Sequence, residues 1–172
     1  MKLPASTALQ PDSDAALTAP SPQAIAEAVR DALWTRDHAS QALGMNITAI
    51  APHQATLTMT VRGDMLNGHG SCHGGLITAL ADSAFAFASN AGNETTLASG
   101  IAIDIVAPAR EGDLLTARCT ERHRSGRTGV YDCEVHNQHG NTIALFRGHS
   151  YTVKGKPVVD GLPLPPARPR AR

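Results

Sequence analysis

The sequence predicts an α+β domain, with a curved antiparallel sheet of about six strands wrapped around one long central helix. Residues 74–91 carry Leu76, Ile77, Leu80, Phe85 and Phe87 among alanines. They are apolar almost all the way round, which marks a helix covered on every side. Residues 56–61, TLTMTV, alternate cleanly, with Leu57, Met59 and Val61 on one face and Thr56, Thr58 and Thr60 on the other. Four further strand-like runs follow, near 96–108, 113–123, 128–137 and 142–153, separated by turn residues such as Ser125-Gly126 and Gly140-Asn141.

The remaining elements fall into place in chain order. Residues 1–20 are rich in Ala, Pro, Ser and Thr without a clear period, and read as a flexible tail. Ser21 followed by Pro22 is a helix start, a capping residue and then proline at the first helical position. Ile25, Val29 and Leu33 recur every four residues, so 22–36 form an amphipathic helix. Residues 45–51 can form a first strand, and 62–72 a glycine-rich loop. The folded domain is expected over 21–155, followed by a proline-rich, basic tail over 156–172. One face of the sheet packs on the central helix, and the other is free for solvent or a partner chain.

Bulk composition removes several classes of function. With 172 residues the chain fits one domain. Lys plus Arg equals Asp plus Glu, 15 each, so no global field attracts nucleic acid or a membrane surface. No apolar run approaches the length of a membrane span, and no basic segment followed by an apolar block marks a secretory leader. The three cysteines, Cys72, Cys119 and Cys133, are odd in number and widely spaced. They argue against a disulfide framework and fit a reducing compartment. The expectation is a soluble cytoplasmic domain.

The chemistry concentrates in 67–90, NGHGSCHGGLITALADSAFAFASN, where Asp82 is a lone acid inside an apolar helix. A buried carboxylate is costly unless something compensates. It can be a structural acid, lie on an exposed or interfacial strip, or be a working group. His73-Gly74-Gly75 stands where the helix begins. Helix starts leave positive backbone N–H groups unpaired, and the two glycines admit a close approach, a natural seat for a developing oxyanion. Asn67 lies in the entering loop. Eight residues separate Gly74 from Asp82, about 12 Å along one straight helix, more than an aspartate side chain spans. If both act on one carbonyl, they come from different chains, which requires a dimer with sites at its interface.

The stretch MLNGHGSCHGGLITALADSAFAFASN, with TGVYDCEVHNQHGNTIALFRG at 128–148, closely resembles the PaaI-type phenylacetic acid degradation thioesterases of the hotdog-fold superfamily, over about residues 22–154. The resemblance implies a hotdog fold and the hydrolysis of acyl-CoA thioesters, typically with aryl groups of the phenylacetyl and hydroxyphenylacetyl type. It implies no cofactor, organic or metal. It also implies a homodimer with shared sites, usually assembled to a homotetramer. Carried over, the catalytic carboxylate matches Asp82, the oxyanion amide Gly74, the histidine before it His73, and the loop residue placing carbonyl or water Asn67. Asp82 would then attack the thioester carbonyl or activate a water that does.

Other readings are weaker. His69, Cys72 and His73 could suggest zinc, but the intervening glycines speak against one regular helix presenting both histidines, and no fourth ligand is near. No fixed base can be named for Cys72, so it is a packed residue rather than a nucleophile. Arg122, Arg124 and Arg127, with His123, surround the turn ERHRSGRTG. They form either a solvated hairpin tip or a contact for CoA phosphates, with Gly75 as a further substrate contact and Arg147 as a weaker one. Phe85 and Phe87 fit the helix core. A catalytically silent acyl-CoA sensor is the alternative function. A hotdog hydratase would want a histidine five residues after Asp82, where Phe87 stands.

Overall fold

The computed structural model describes residues 19–166. The expected N-terminal tail therefore lies almost entirely outside the described residues, as does the C-terminal one from 167 onward. Ser21 caps α1 (Pro22–Trp34) by accepting the Ala24 N–H on its hydroxyl at 3.1 Å, and Pro22 opens the helix as expected. The helix ends two residues earlier than its periodicity suggested. A five-residue helix, α2 (His38–Ala42), follows under an Asp37 cap, too short to leave a period in the sequence.

Six strands complete the chain: β1 (Asn46–Ala51), β2 (Gln54–Thr60), β3 (Glu94–Ile105), β4 (Leu114–Ser125), β5 (Thr128–His136) and β6 (Thr142–Pro157). They pair antiparallel throughout, in the order β1-β2-β4-β5-β6-β3. Between β2 and β3 lies α3 (Gly74–Asn90), close to the expected 74–91. It buries Ile77, Leu80, Ala81, Ala84, Phe85 and Ala88 against the sheet. The alternation in β2 is realised as expected, with Leu57 and Met59 fully buried under the helix. This is the hotdog architecture.

The two margins of the sheet differ. On β1 a bulge interrupts the register between Ile47 and Ala49, and Gln23 of α1 donates its side-chain amide to the Ile50 carbonyl at 2.9 Å. On the other margin β3 runs twelve residues with Leu97, Ile101 and Ile105 exposed (57, 48 and 45%). Asn90 at the end of α3 is buried and pins that helix to β3. Its side chain donates to the Thr96 carbonyl and accepts the Thr96 N–H, both at 2.9 Å.

Two expectations change. Cys119 and Cys133 are bonded to each other as a disulfide. They stand directly opposite in the β4–β5 register, a neighbourhood made by the sheet and invisible in their spacing. And β6 continues to Pro157, past the expected end of the domain at 155, while the chain after it is tied back by Asn93. The Asn93 side chain donates to the carbonyls of Val159 and Leu162 at 3.1 Å each and accepts the Val159 N–H at 2.8 Å.

The aromatic heart of the core is Phe85, with Tyr131 at 5.3 Å and Phe146 at 5.9 Å between ring centres. Phe85 lies flat against Gly148 of β6, where a methyl group would stand 2.9 Å from the ring. Gly148→Ala should therefore lower unfolding free energy by about 1–3 kcal/mol through overpacking. Gly68→Ala, whose added carbon meets nothing within 4 Å, should change it little. Urea denaturation of the two variants checks the contrast, and equal midpoints would remove the packing argument.

Candidate functional site

The loop before α3 is held by its own hydrogen bonds. Asn67 accepts the His69 N–H at 2.9 Å and the Ser71 N–H at 3.3 Å on its side-chain oxygen, and donates its amide to the Ser71 hydroxyl at 3.1 Å. Its backbone N–H bonds the Ser71 carbonyl at 2.8 Å. The His73 N–H bonds the Met65 carbonyl at 2.8 Å and the Cys72 N–H the Ala109 carbonyl at 2.9 Å. These contacts fix the point where α3 starts.

His73 is the N-cap of α3, and its Nδ1 accepts the Gly75 N–H at 3.1 Å. The N–H groups of Leu76 and Ile77 reach the His73 carbonyl at 2.8 and 3.4 Å. Of the four N–H groups that open this helix, only that of Gly74 makes no hydrogen bond to a described residue. It borders a cleft of about 330 Å³ between the loop, the helix start and the end of β3, with Asn67 and Ser71 on its polar side and Ile77, Ile105, Val106 and Pro108 among its apolar walls. A methyl group at position 74 would stand 2.8 Å from the Ile105 side chain. A free amide at a positive helix end, facing a partly apolar recess, suits a carbonyl oxygen that gains negative charge.

Asp82 does not line that cleft. It lies along α3 on a strip with Gly75, Ala79 and Ala86 that the sheet leaves wholly or partly open. The helix is thus not covered on every side, contrary to its composition. The carboxylate is half-buried and makes no hydrogen bond or ion pair with a described residue. Burial pushes its pKa above the usual carboxylate value. The rise of about 12 Å between Gly74 and Asp82 keeps the two groups apart within one protomer.

The other expected contacts are distributed differently. The Gly75 N–H is committed to His73, and the His73 ring to capping. His69 is exposed in the loop, and among the described residues no His, Cys, Asp and Glu cluster could hold a metal ion. Cys72 is buried, and burial raises its thiol pKa, which fits packing rather than nucleophilicity. Arg124 is not at a solvated tip: its side chain is 6% exposed and pairs with Glu94 at 2.8 Å. Arg127 and Arg124 share a cavity at the other end of α3. Arg147 lies on the outer sheet face in a two-pronged pair with Asp132. Asn93, which sequence reasoning passed over, showed itself only as an Asn after Gly92, a turn signal.

The model of the Thioesterase superfamily matches residues 69–144. The acyl-coenzyme A thioesterase PaaI of Escherichia coli (strain K12) is 46% identical over 124 residues, 72% of this chain and 89% of that protein. The structure of the E. coli PaaI protein from the phenylacetic acid degradation operon superposes with a TM-score of 0.77 at 43% identity, covering 79% of this chain and 99% of that one. A structure of the phenylacetic acid degradation protein PaaI from Thermus thermophilus does so with a TM-score of 0.64 at 38% identity, over 66% of this chain and 97% of that one.

An acid whose pKa is raised by folding weakens the fold once it ionises. Between the unfolded value and the raised one the folded chain holds more protons, so stability falls as pH rises, and the loss is complete above the raised value. Asp82→Asn should therefore melt above the unaltered protein at neutral pH. The gap should close as pH is lowered through that window. Thermal denaturation across pH tests this, and an equal or lower melting point at neutral pH would contradict it.

Proposed function

From the premise that this chain belongs to the PaaI-type branch of the thioesterase superfamily, we propose that it hydrolyses acyl-CoA thioesters to the free acid and CoA. Its preferred acyl groups would be aryl, of the phenylacetyl and hydroxyphenylacetyl type, as a step in phenylacetate degradation. The observation that carries this is the pairing of an uncommitted Gly74 amide with an uncommitted Asp82 carboxylate on one helix, too far apart to act together in a single chain. The names of the E. coli and Thermus relatives support the substrate class. The apolar walls Ile77, Ile105 and Val106 suit a ring.

The working unit is then a homodimer in which α3 of each protomer runs antiparallel to its partner's, so that the Asp82 of one chain meets the Gly74 amide of the other. Two features support it. The strip of α3 carrying Asp82 is open, and β3 offers a long apolar margin whose outward backbone groups meet no strand among the described residues. A homotetramer, with the outer faces of two dimers together, is supported by the resemblance and by exposed Leu145 and Tyr151 on that face. In the reaction the thioester oxygen takes the Gly74 N–H. Asp82 accepts a proton from water, the water oxygen adds to the carbonyl carbon, and the charge on the tetrahedral oxygen rests on the amide. The C–S bond then breaks and CoA leaves as the thiolate, which takes up a proton. Asn67 and His73 act by shaping the loop and the helix start.

A cytoplasmic location belongs to the same proposal. In its support, no helix among the described residues is long and apolar enough to cross a membrane.

Asp82→Asn should reduce kcat on phenylacetyl-CoA at least ~100-fold, the range of a lost general base, while CoA thioester binding persists. Steady-state hydrolysis over a panel of aryl and straight-chain CoA thioesters checks this. Failure of the unaltered protein to hydrolyse any would leave only acyl-CoA binding. Single turnover in ¹⁸O-water should place the label in the acid and none in Asp82.

The shared site has its own test. Gly74→Pro removes the amide proton at the first helical position, where proline is tolerated, the extended His73 before it suits a proline, and its ring displaces only the tip of the Ile105 side chain. Each variant alone should be inactive, and the two co-expressed should regain activity, since a mixed dimer contains one intact Asp82–Gly74 pair. No recovery, or a fully active monomer by light scattering, would overturn the shared site.

A further inference from the structure

α3 opens on two glycines, Gly74 and Gly75, the residue type that leaves a backbone freest to move. The N–H that borders the cleft belongs to the first of them. Its direction therefore depends on the peptide planes on either side of Gly74. The plane before it, between His73 and Gly74, is held through the His73 carbonyl, which takes the N–H groups of Leu76 and Ile77. The plane after it, between Gly74 and Gly75, is tied by a side chain at each end. Its N–H donates to His73 Nδ1 at 3.1 Å, and its carbonyl accepts the Thr78 hydroxyl at 2.8 Å.

Propensity does not account for Thr78. Threonine is a poorer helix former than the alanines and leucines around it. Three residues of α3 carry hydroxyls, Thr78, Ser83 and Ser89. Ser83 reaches out of the helix to Ser40 of α2 at 2.8 Å. Ser89 bonds the Ala86 carbonyl at 3.2 Å, near the far end. Thr78 turns its hydroxyl back onto the first residue of the helix. It is half-buried, and its branched Cβ allows few rotamers. Back-bonding of this kind is neutral to slightly destabilising in a helix interior. What it adds here is a fixed plane where glycine supplies none.

We propose that Thr78 is a positioning residue of the oxyanion site. By bracing the Gly74–Gly75 peptide against His73, it aims the Gly74 N–H at the oxygen that gains charge. The role rests on the thioesterase activity proposed above, with Gly74 as the donor. An oxyanion donor works through its alignment with the tetrahedral oxygen more than with the ground-state carbonyl. A loosened plane should therefore lower turnover and leave binding in place.

Thr78→Val keeps the branched shape and removes the hydroxyl, with Thr78→Ala as a second variant if it does not fold. It should lower kcat on phenylacetyl-CoA about tenfold, the range of one lost hydrogen bond, and leave KM within about twofold. Thr78→Ser, which keeps the hydroxyl, should recover most of the loss. Ser89→Ala removes a hydroxyl-to-carbonyl bond from the same helix away from the site, and should leave kcat unchanged. Amide hydrogen exchange reads the brace without substrate. The Gly75 N–H should exchange about tenfold faster in Thr78→Val, and at the unaltered rate in Ser89→Ala. Unchanged kcat in Thr78→Val would overturn the role, as would equal losses in Thr78→Val and Ser89→Ala, or unchanged exchange at Gly75. Faster exchange at Gly75, in a protein that hydrolyses no thioester, would uphold the brace and refute the activity it serves.

Discussion

Gly74 and Asp82 ride on one rigid helix, eight residues apart, and no aspartate rotamer spans the about 12 Å between them. The helix cannot bend to help, because its buried face, Ile77 through Ala88, is locked onto the sheet, and Asn90 pins its end to β3. Everything that makes the region chemically useful follows from that fixed separation. An amide and a carboxylate that could reach each other within the chain would satisfy one another. Held apart, both keep their capacity for an outside group.

The surroundings preserve that capacity. His73 occupies the neighbouring amide, so the helix end has one vacancy rather than two. Asn67 turns its polar atoms onto its own loop, which sets the position of His73 without placing a competing charge in the cleft. Asp82 has only alanines and a glycine along its strip, and it bears the expense of partial burial with no neighbour to relieve it.

Much of this was legible in the residues. Clean alternation in 56–61 and dense apolar content in 74–91 carry their periods within themselves, and both elements stand where those periods put them. Gly74 and Asp82 could be placed on one helix, and their separation follows from its rise alone. What stayed hidden depends on contacts between distant segments. ERHRSGRTG has the composition of a solvated turn. Only the approach of Glu94, thirty residues earlier, and Thr152, twenty-eight later, buries Arg124. Cys119 and Cys133 meet across a ladder, and α2 is a single capped turn with no period to detect. The capping use of His73 depends on a ring orientation that spacing does not encode.

The unlike margins of the sheet bear on how large an assembly can become. Along β1, the kinked backbone and the amide of Gln23 obstruct any added strand. A chain with two receptive borders could polymerise without limit. One with a single receptive border can join only to that same border on a copy, and the union leaves no site for a third to extend the ribbon. Edge-to-edge growth of the sheet is thereby opposed by backbone geometry rather than by net charge, which is zero for the chain as a whole.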